Sequence, residues 1–369
     1  MKKHPLLAAL PFFVLPAAAL LGQSVTVPDA SLRAGISQTI GITTVSVEYG
    51  RPSVNQREIW GKLVPYGYND LGFGTSKAAP WRAGANMNTT VSFQHDVKVA
   101  GQPLKAGTYG LSMALSEAGN VTLIFSRNSG KWGSFFYEQA EDALRAETKW
   151  EDAPFREMLV YEFSDITKNS AVLSLLWEKK RIPIPLTVDT DAVVVANLKQ
   201  ELSTAKGFEY QSWVAASSYL VDNKLDLNLA LEWAEHAITG KFVGQRNFLT
   251  LSSKAIILRK LNRLEEARAA MDEALPFGTL LEIHQYGRQL IAAGDTARAL
   301  EVFKMNAQRH LNVWPVNYGL ARGYSAVGNY PAALEALLKA QKDIPAGDTA
   351  NATAIQANIE KLKRGENIN

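Results

Sequence analysis

The chain has 369 residues, of which 47% are hydrophobic and 20% are charged, a balance typical of globular proteins and, at this length, of two domains. The net charge of +3 includes no block of basic residues, which argues against nucleic acid or an anionic membrane surface as a partner. The absence of cysteine excludes disulfides, thiolate metal sites and cysteine nucleophiles.

The first residues have the pattern of a secretory signal peptide. Lys2 and Lys3 precede an apolar run over 6–21 that ends among small residues. The run is interrupted by prolines and is short for a membrane span, and no cysteine follows it as a lipoprotein anchor would require. We therefore expect a cleaved signal peptide over 1–23 and a soluble mature chain that is periplasmic or secreted.

Residues 24–190 predict an all-β domain. Apolar side chains alternate with polar ones in "TVSVEYG" (44–50), and "SEAGN" (116–120) separates two further alternating stretches as a hairpin turn would. About eight such stretches with Gly, Asn and Asp turns indicate an antiparallel sandwich or open barrel. The polar segment "YEQAEDALRAETKW" (137–150) is expected to form one short helix.

Several motifs stand in order along this half. They are "YGRPSVNQREIWGKLVPYG" (49–67), "PWRAGANMNTT" (80–90), "VAGQPLKAGTYGL" (99–111), "KWG" (131–133) and the closing "LLWEKKRIPIPL". Over about residues 30–190 the chain thereby resembles an exported bacterial family, domain of unknown function 2911. The resemblance implies a secreted β-rich domain, sometimes followed by helical repeats, and no established activity. Members often carry an acidic residue after the Gly-Ala-Asn, where this chain has Met87.

The motifs also bring together side chains that are suited to ligand binding. Guanidinium groups bind planar anions such as carboxylate, sulfate or phosphate, and aromatic side chains form platforms for a sugar ring or an apolar ligand. The candidate ligand-binding residues are Arg51, Arg57, Trp60, Tyr66, Trp81, Arg82 and Asn86. Two interpretations stay open: these residues form a ligand surface, or they form a structural corner of the β-domain.

Signatures of enzymes are scarce, and whether the chain catalyses a reaction is left open. The histidines lack metal-ligand spacing, and no nucleophile elbow, phosphate loop or dinucleotide fingerprint is present. No metal and no cofactor are predicted. If the β-domain is a hydrolase, Glu48, Glu58 and His95, together with the arginines, are its candidate residues.

Residues 191–369 predict a helical repeat array. Three segments align on Ala267, Ala299 and Ala333, which are spaced by 32 and 34 residues, and each has a small residue twelve positions earlier. This pattern resembles the tetratricopeptide repeat, a helix–turn–helix unit of about 34 residues. A weaker copy precedes the three, so we expect three to four repeats, and "DTANATAIQANIEKLKRG" (348–365) is expected to cap the solenoid.

The combined prediction is a two-domain exported protein with a binding or assembly function. The concave face of stacked repeats is expected to bind a protein or peptide, unless the repeats serve only as a scaffold. The β-domain is expected to present the Arg/Trp/Asn surface to a small anionic or sugar-like ligand. The alternative is a periplasmic hydrolase that acts on a saccharide or an ester through the β-domain.

Overall fold

The computed structural model describes residues 28–311 and 313–369. The predicted signal peptide therefore lies outside the described residues. The chain divides into two compact units, the first ending at Val193 and the second beginning at Val194. In the part that is described, no helix combines the length and the apolar character needed to cross a bilayer.

The first unit is built from antiparallel strands. The ten strands of its described part are β1 (Leu32–Ile40), β2 (Thr43–Arg51), β3 (Thr89–Phe93), β4 (Val97–Val99), β5 (Gln102–Leu104), β6 (Gly107–Leu115), β7 (Asn120–Ser126), β8 (Asp142–Lys149), β9 (Glu151–Ser164) and β10 (Ser170–Thr187). Six of them form a sheet in the order β1-β2-β3-β6-β7-β8, and four form a sheet in the order β5-β4-β10-β9. The predicted antiparallel all-β domain is confirmed.

The two sheets contribute to one hydrophobic core. In β2 the buried residues Val45, Val47 and Tyr49 alternate with more exposed polar ones, as a strand with one face in the core requires. The four-stranded sheet contributes Leu173 and Trp177 from β10 to the same cluster. In β2, the alternation of apolar and polar residues in the sequence therefore correctly predicts which side chains are buried.

The helix predicted over 137–150 is wrong. The segment forms a short 3₁₀ turn over Gln139–Glu141 and then β8, the last strand of the six-stranded sheet. Leu144 and Ala146 alternate into the core while Arg145 and Glu147 lie on the other face, and the strand pairs with β7. Sheet pairing at this edge outweighs the helix propensity of Glu, Ala and Arg.

The second unit is helical. The helices are α1 (Thr190–Glu201), which begins in the first unit, α2 (Tyr210–Asp222), α3 (Leu227–Thr239), α4 (Phe248–Lys260), α5 (Leu264–Ala274), α6 (Leu280–Ala292), α7 (Thr296–Arg309), α8 (Trp314–Ala326), α9 (Tyr330–Asp343) and α10 (Thr349–Lys363). Consecutive helices pack as the pairs α2/α3, α4/α5, α6/α7 and α8/α9, and α10 packs against α9. These four pairs confirm the predicted all-α array of tetratricopeptide-like repeats.

Small residues lie where the paired helices contact each other. The aligned alanines Ala267, Ala299 and Ala333 are all buried. A close approach of this kind surrounds Phe303 of α7, whose side chain is fully buried. A Cβ atom added to Gly287 of α6 would lie 2.5 Å from the Phe303 ring, and one added to Gly319 or Gly323 of α8 would lie 2.8 or 2.9 Å from it. Phe303 is thus enclosed by glycines from two neighbouring helices.

Candidate functional site

The motif loop over 80–90 is fixed to the sheets by its backbone. Trp81 exchanges two backbone hydrogen bonds with Met113 of β6, at 2.9 and 2.7 Å. Ala83 is fully buried with a φ of 50°, and its carbonyl accepts hydrogen bonds from the Thr89 hydroxyl at 3.0 Å and the Tyr161 hydroxyl at 2.9 Å. The loop therefore has a defined conformation on the core.

The loop also packs closely against the end of β2. A Cβ atom added to Gly50 would lie 2.3 Å from the Ala85 carbonyl oxygen, and one added to Gly84 would lie 2.6 Å from the Thr89 hydroxyl oxygen. The Ala85 carbonyl can lie this close to β2 only because Gly50 has no Cβ atom, and the Gly84 position is as tightly enclosed. The two glycines of the sequence motifs thus hold the loop over the strand.

Arg82 is held in place within the loop and next to an aromatic segment. Its Nη1 donates a hydrogen bond of 2.8 Å to the Asn86 carbonyl, and its guanidinium lies 4.8 Å from the ring centre of Phe135 and 5.7 Å from that of Trp132. Burial lowers the pKa of the Arg82 guanidinium. Among the described residues no carboxylate forms an ion pair with it, so a half-buried cation lacks a direct counter-ion.

A cleft of about 320 Å³ opens beside this loop. Four of the seven predicted site residues line it, namely Arg57, Trp81, Arg82 and Asn86. Arg57 is fixed by hydrogen bonds from Nε to the Val54 carbonyl at 3.1 Å and from Nη2 to the Ser53 carbonyl at 2.6 Å. We refer to this concavity as the β-unit cleft.

The other three predicted residues do not line the β-unit cleft. Arg51 donates from Nε to the Leu159 carbonyl at 3.0 Å. Trp60 and Tyr66 pack against the core, where their rings contact Trp150 at centroid distances of 5.5 and 6.3 Å. Trp60 and Tyr66 therefore have a structural role: both pack on the hydrophobic core, and Trp60 also contacts the Trp81 ring.

Trp177 and Ser134 also line the cleft and were not among the predicted site residues. Trp177 lies in the "LLWEKKR" motif and stacks on Trp81 at a centroid distance of 6.1 Å. Ser134 directly follows the "KWG" motif, is only 3% exposed, and has no hydrogen-bond partner for its hydroxyl among the described residues. Both residues lie within or directly after one of the ordered sequence motifs, which could have marked them as candidates. The sequence does not show, however, which of these motifs are neighbours in the fold.

The candidate residues of a hydrolase are not brought together at the cleft. Glu48 pairs with Arg33 on the exposed surface of the sheet, and the Nδ1 atom of His95 lies 3.1 Å from the Thr43 hydroxyl. None of Glu48, Glu58 and His95 lines the β-unit cleft. No acidic residue or histidine is found among the lining residues that the structure describes.

The helical unit carries a larger groove of about 850 Å³ between α4, α5, α6 and the start of α7. We call it the α4–α7 groove. Its walls include three large apolar side chains that are substantially exposed: Ile256 at 45%, Leu264 at 56% and Leu281 at 64%. Exposed apolar side chains that line one concavity are typical of interaction sites.

Of the three arginines that line the α4–α7 groove, one forms ion pairs and two do not. Arg298 forms ion pairs with Asp272 and Glu301. Arg259 and Arg268 are exposed, and neither forms a hydrogen bond or a direct ion pair within the described part of the chain. The groove thus combines an apolar surface with two arginines that have free donors.

Comparison with known families covers the first unit. Residues 31–186 match the family described as "Protein of unknown function (DUF2911)". The match confirms the resemblance that the ordered motifs indicated. A search of curated proteins found no relative that matches the chain.

Solved structures similar to this chain include two tetratricopeptide repeat proteins. One, from Parabacteroides merdae ATCC 43184, is 19% identical with a TM-score of 0.29, and the match covers 42% of this chain and 63% of that one. Another, the C-terminal part of a repeat-containing protein from Cytophaga hutchinsonii, is 15% identical with a TM-score of 0.34 and coverages of 46% and 64%. The chain therefore spans a little under two thirds of each.

Proposed function

We propose that this chain is an exported binding or assembly protein whose helical repeats bind a peptide segment of a partner protein in the α4–α7 groove. The observation that carries the proposal is the exposure of Ile256, Leu264 and Leu281 along one concavity of about 850 Å³. In the same proposal, the β unit presents Arg57, Trp81, Arg82 and Asn86 to a small ligand. Export is proposed from the signal peptide pattern over 1–23.

The apolar surface of the groove favours apolar anchor side chains in the bound segment. Fully burying a Leu or Ile side chain contributes about 1.5–3 kcal/mol, and these three side chains are each roughly half exposed before binding. A peptide that covers them would recover much of that free energy. Bound segments should therefore carry at least two large apolar residues at a spacing that fits the groove.

The free arginines add a charge preference. Arg259 and Arg268 border the apolar surface without a direct acidic partner in the described chain. A carboxylate placed next to them on the bound segment would give them a charge-assisted hydrogen bond, although Glu265, Glu282 and Asp295 also line the groove. We therefore propose that the partner segment is both apolar and acidic.

Selection from a random peptide display library tests this proposal on the full chain without its signal peptide. Selected peptides should be enriched in apolar residues together with Asp or Glu. A chosen peptide should lose about tenfold in affinity on Leu281→Ser, which removes an apolar contact, and a similar factor on the pair Arg259→Glu and Arg268→Glu, which reverses the charge.

Two substitutions outside the groove serve as matched controls. Leu249 is 46% exposed but does not line the groove, and Lys260 follows Arg259 at the end of α4 without lining it. Leu249→Ser and Lys260→Glu should leave the affinity unchanged. Selected peptides that bind the groove variants as tightly as the wild type would contradict the assignment of this site.

A further inference from the structure

We infer that the β-unit cleft binds a small organic acid, whose carboxylate is bound by Arg57 and Arg82 and whose ring-shaped or apolar body lies against Trp81. The inference rests on the β-unit part of the proposed function and gives that ligand its chemical class. It does not depend on the α4–α7 groove, because it concerns residues of the other unit.

The charge balance of the cleft favours an anion. Arg57 and Arg82 line it, no acidic residue is found among the lining residues that the structure describes, and neither arginine forms an ion pair there. Partial burial of Arg82 disfavours its charged form and lowers its pKa. A bound carboxylate would supply the missing counter-charge in a partly desolvated site, where such a pair is stronger than in water.

Both guanidinium groups are already ordered but still have free donors. Arg82 donates from Nη1 to the Asn86 carbonyl, and Arg57 donates from Nε and Nη2 to the Val54 and Ser53 carbonyls. Within the described chain, Nε and Nη2 of Arg82 and Nη1 of Arg57 have no hydrogen-bond partner. A ligand would therefore find fixed donors and would lose little free energy in ordering them.

Ser134 offers a hydroxyl group to a polar ligand in the cleft. The residue is 3% exposed and lines the cleft, and its hydroxyl has no hydrogen-bond partner among the described residues. The hydroxyl therefore reaches the cleft with its donor unpaired, and a ligand bound there needs a group that accepts a hydrogen bond from it. A carboxylate oxygen or a hydroxyl of the ligand would be such a group.

The remaining walls define the ligand body. Trp81 is partly exposed, its indole stacks on the buried Trp177, and Pro52, Pro80 and Val64 add apolar surface. A volume of about 320 Å³ is at the lower end of the range for small-molecule sites, which is about 300–1,000 Å³. The body is therefore that of a small molecule with one ring or an equivalent apolar group.

Calorimetric titration of the full chain without its signal peptide tests the inference with defined compounds. Benzoate and glucuronate represent an aromatic acid and an acidic sugar, benzamide and glucose are their uncharged counterparts, and inorganic phosphate is an anion without a body. We expect at least one of the two carboxylates to bind at least about tenfold more tightly than its uncharged counterpart and than phosphate.

Substitutions then locate the binding. Arg57→Gln, Arg82→Gln and Ser134→Ala should each weaken binding, the arginine variants by about tenfold or more. Arg33→Gln, which removes an exposed arginine that does not line the cleft, should have no effect. Arg57 is exposed and contacts only its own turn, so its variant is expected to fold even if Arg82→Gln unfolds the loop.

Each result decides the matter. Binding by benzoate alone or by glucuronate alone supports the inference and identifies the body as aromatic or saccharide. Binding by neither carboxylate, equal binding of the uncharged compounds or of phosphate, or full affinity in Arg57→Gln would overturn it. Because Arg57, Arg82 and Ser134 line only the β-unit cleft, a failure here leaves the peptide-binding proposal to its own test.

Discussion

Individual residues of the motif loop serve the backbone and the cleft at the same time. Ala83 and Asn86 have φ values of 50° and 62°, a conformation in which Asn is enriched but which is otherwise uncommon for residues with a side chain. Asn86 accepts the Arg82 hydrogen bond through its carbonyl and donates from Nδ2 to the Ser31 carbonyl at 3.2 Å. Asn86 and Arg82 therefore form the structural corner that was one interpretation of the sequence, and they also line the cleft, where the ligand surface is a proposal.

His284 of α6 is expected to make the stability of the helical unit dependent on pH. Burial, with smaller contributions from the positive charges of Arg322 and Arg288, lowers the pKa of His284 from 6.5 to about 4. As the pH falls below about 6.5, the unfolded chain takes up a proton that the folded chain does not. The stabilisation is therefore complete above pH 6.5 and is lost as the pH falls towards 4.

Urea unfolding of the helical unit, followed at pH 7 and pH 5, measures this effect. The wild type should lose about 1–2 kcal/mol more between the two pH values than His284→Gln, which cannot take up the proton. The same substitution at His95, in the β unit, is the control for general effects of the change. Equal losses in the wild type and in His284→Gln would refute the assignment.

At the scale of elements, the approach of β2 to the motif loop depends on a single missing side chain. A Cβ atom on Gly50 would lie 2.3 Å from the Ala85 carbonyl oxygen, whereas one on Gly35 of the adjacent β1 would have its nearest neighbour at 3.6 Å. Gly50→Ala should therefore destabilise the β unit by about 1–3 kcal/mol, since backbone cannot move aside as a flexible side chain can.

Gly35→Ala is the matched control, because it adds the same methyl group to the neighbouring strand without a close contact. It should leave the midpoint of thermal unfolding nearly unchanged. If Gly50→Ala were as stable as Gly35→Ala, the close approach of strand and loop would not be the constraint that places Arg82 at the cleft.

Elements could be predicted from the sequence where one periodicity dominates. The alternation of Val45, Val47 and Tyr49 and the regular spacing of Ala267, Ala299 and Ala333 both correspond to buried faces. The segment that forms β8 could not be assigned in this way, because its residues favour a helix by intrinsic propensity. Its conformation is decided by pairing with β7, a contact that local sequence does not encode.

At the scale of the whole molecule, the cleft residues come from parts of the chain that are far apart in sequence. Arg57, Trp81, Ser134 and Trp177 meet at one concavity, although 120 positions separate the first from the last. Residue type alone indicated Arg57 and Trp81 but equally indicated Trp60, which packs against the core instead. The ordered motifs thus predicted which segments contribute to the cleft, and the topology of the sheets determines which side chains line it.

The proposed export of the chain can be measured directly. We expect the exported protein to lack about its first 23 residues, because Lys2, Lys3 and the apolar run that follows them have the pattern of a cleaved signal peptide. Mass spectrometry of the protein recovered from the periplasm or the medium of a bacterial host gives the mature N-terminus. Replacement of the two lysines by Glu should reduce export. An intact Met1 on exported protein would contradict cleavage.

The enclosure of Phe303 has a consequence for the evolution of the array. Idealised repeats are modular, so units can be duplicated, deleted or shuffled. Here the Phe303 ring of α7 packs against a glycine of its own helix pair and against two glycines of the following pair. The α6/α7 and α8/α9 pairs therefore depend on each other for close packing. We expect Phe303, Gly287, Gly319 and Gly323 to be inherited as a set, and recombination between these two pairs to be selected against.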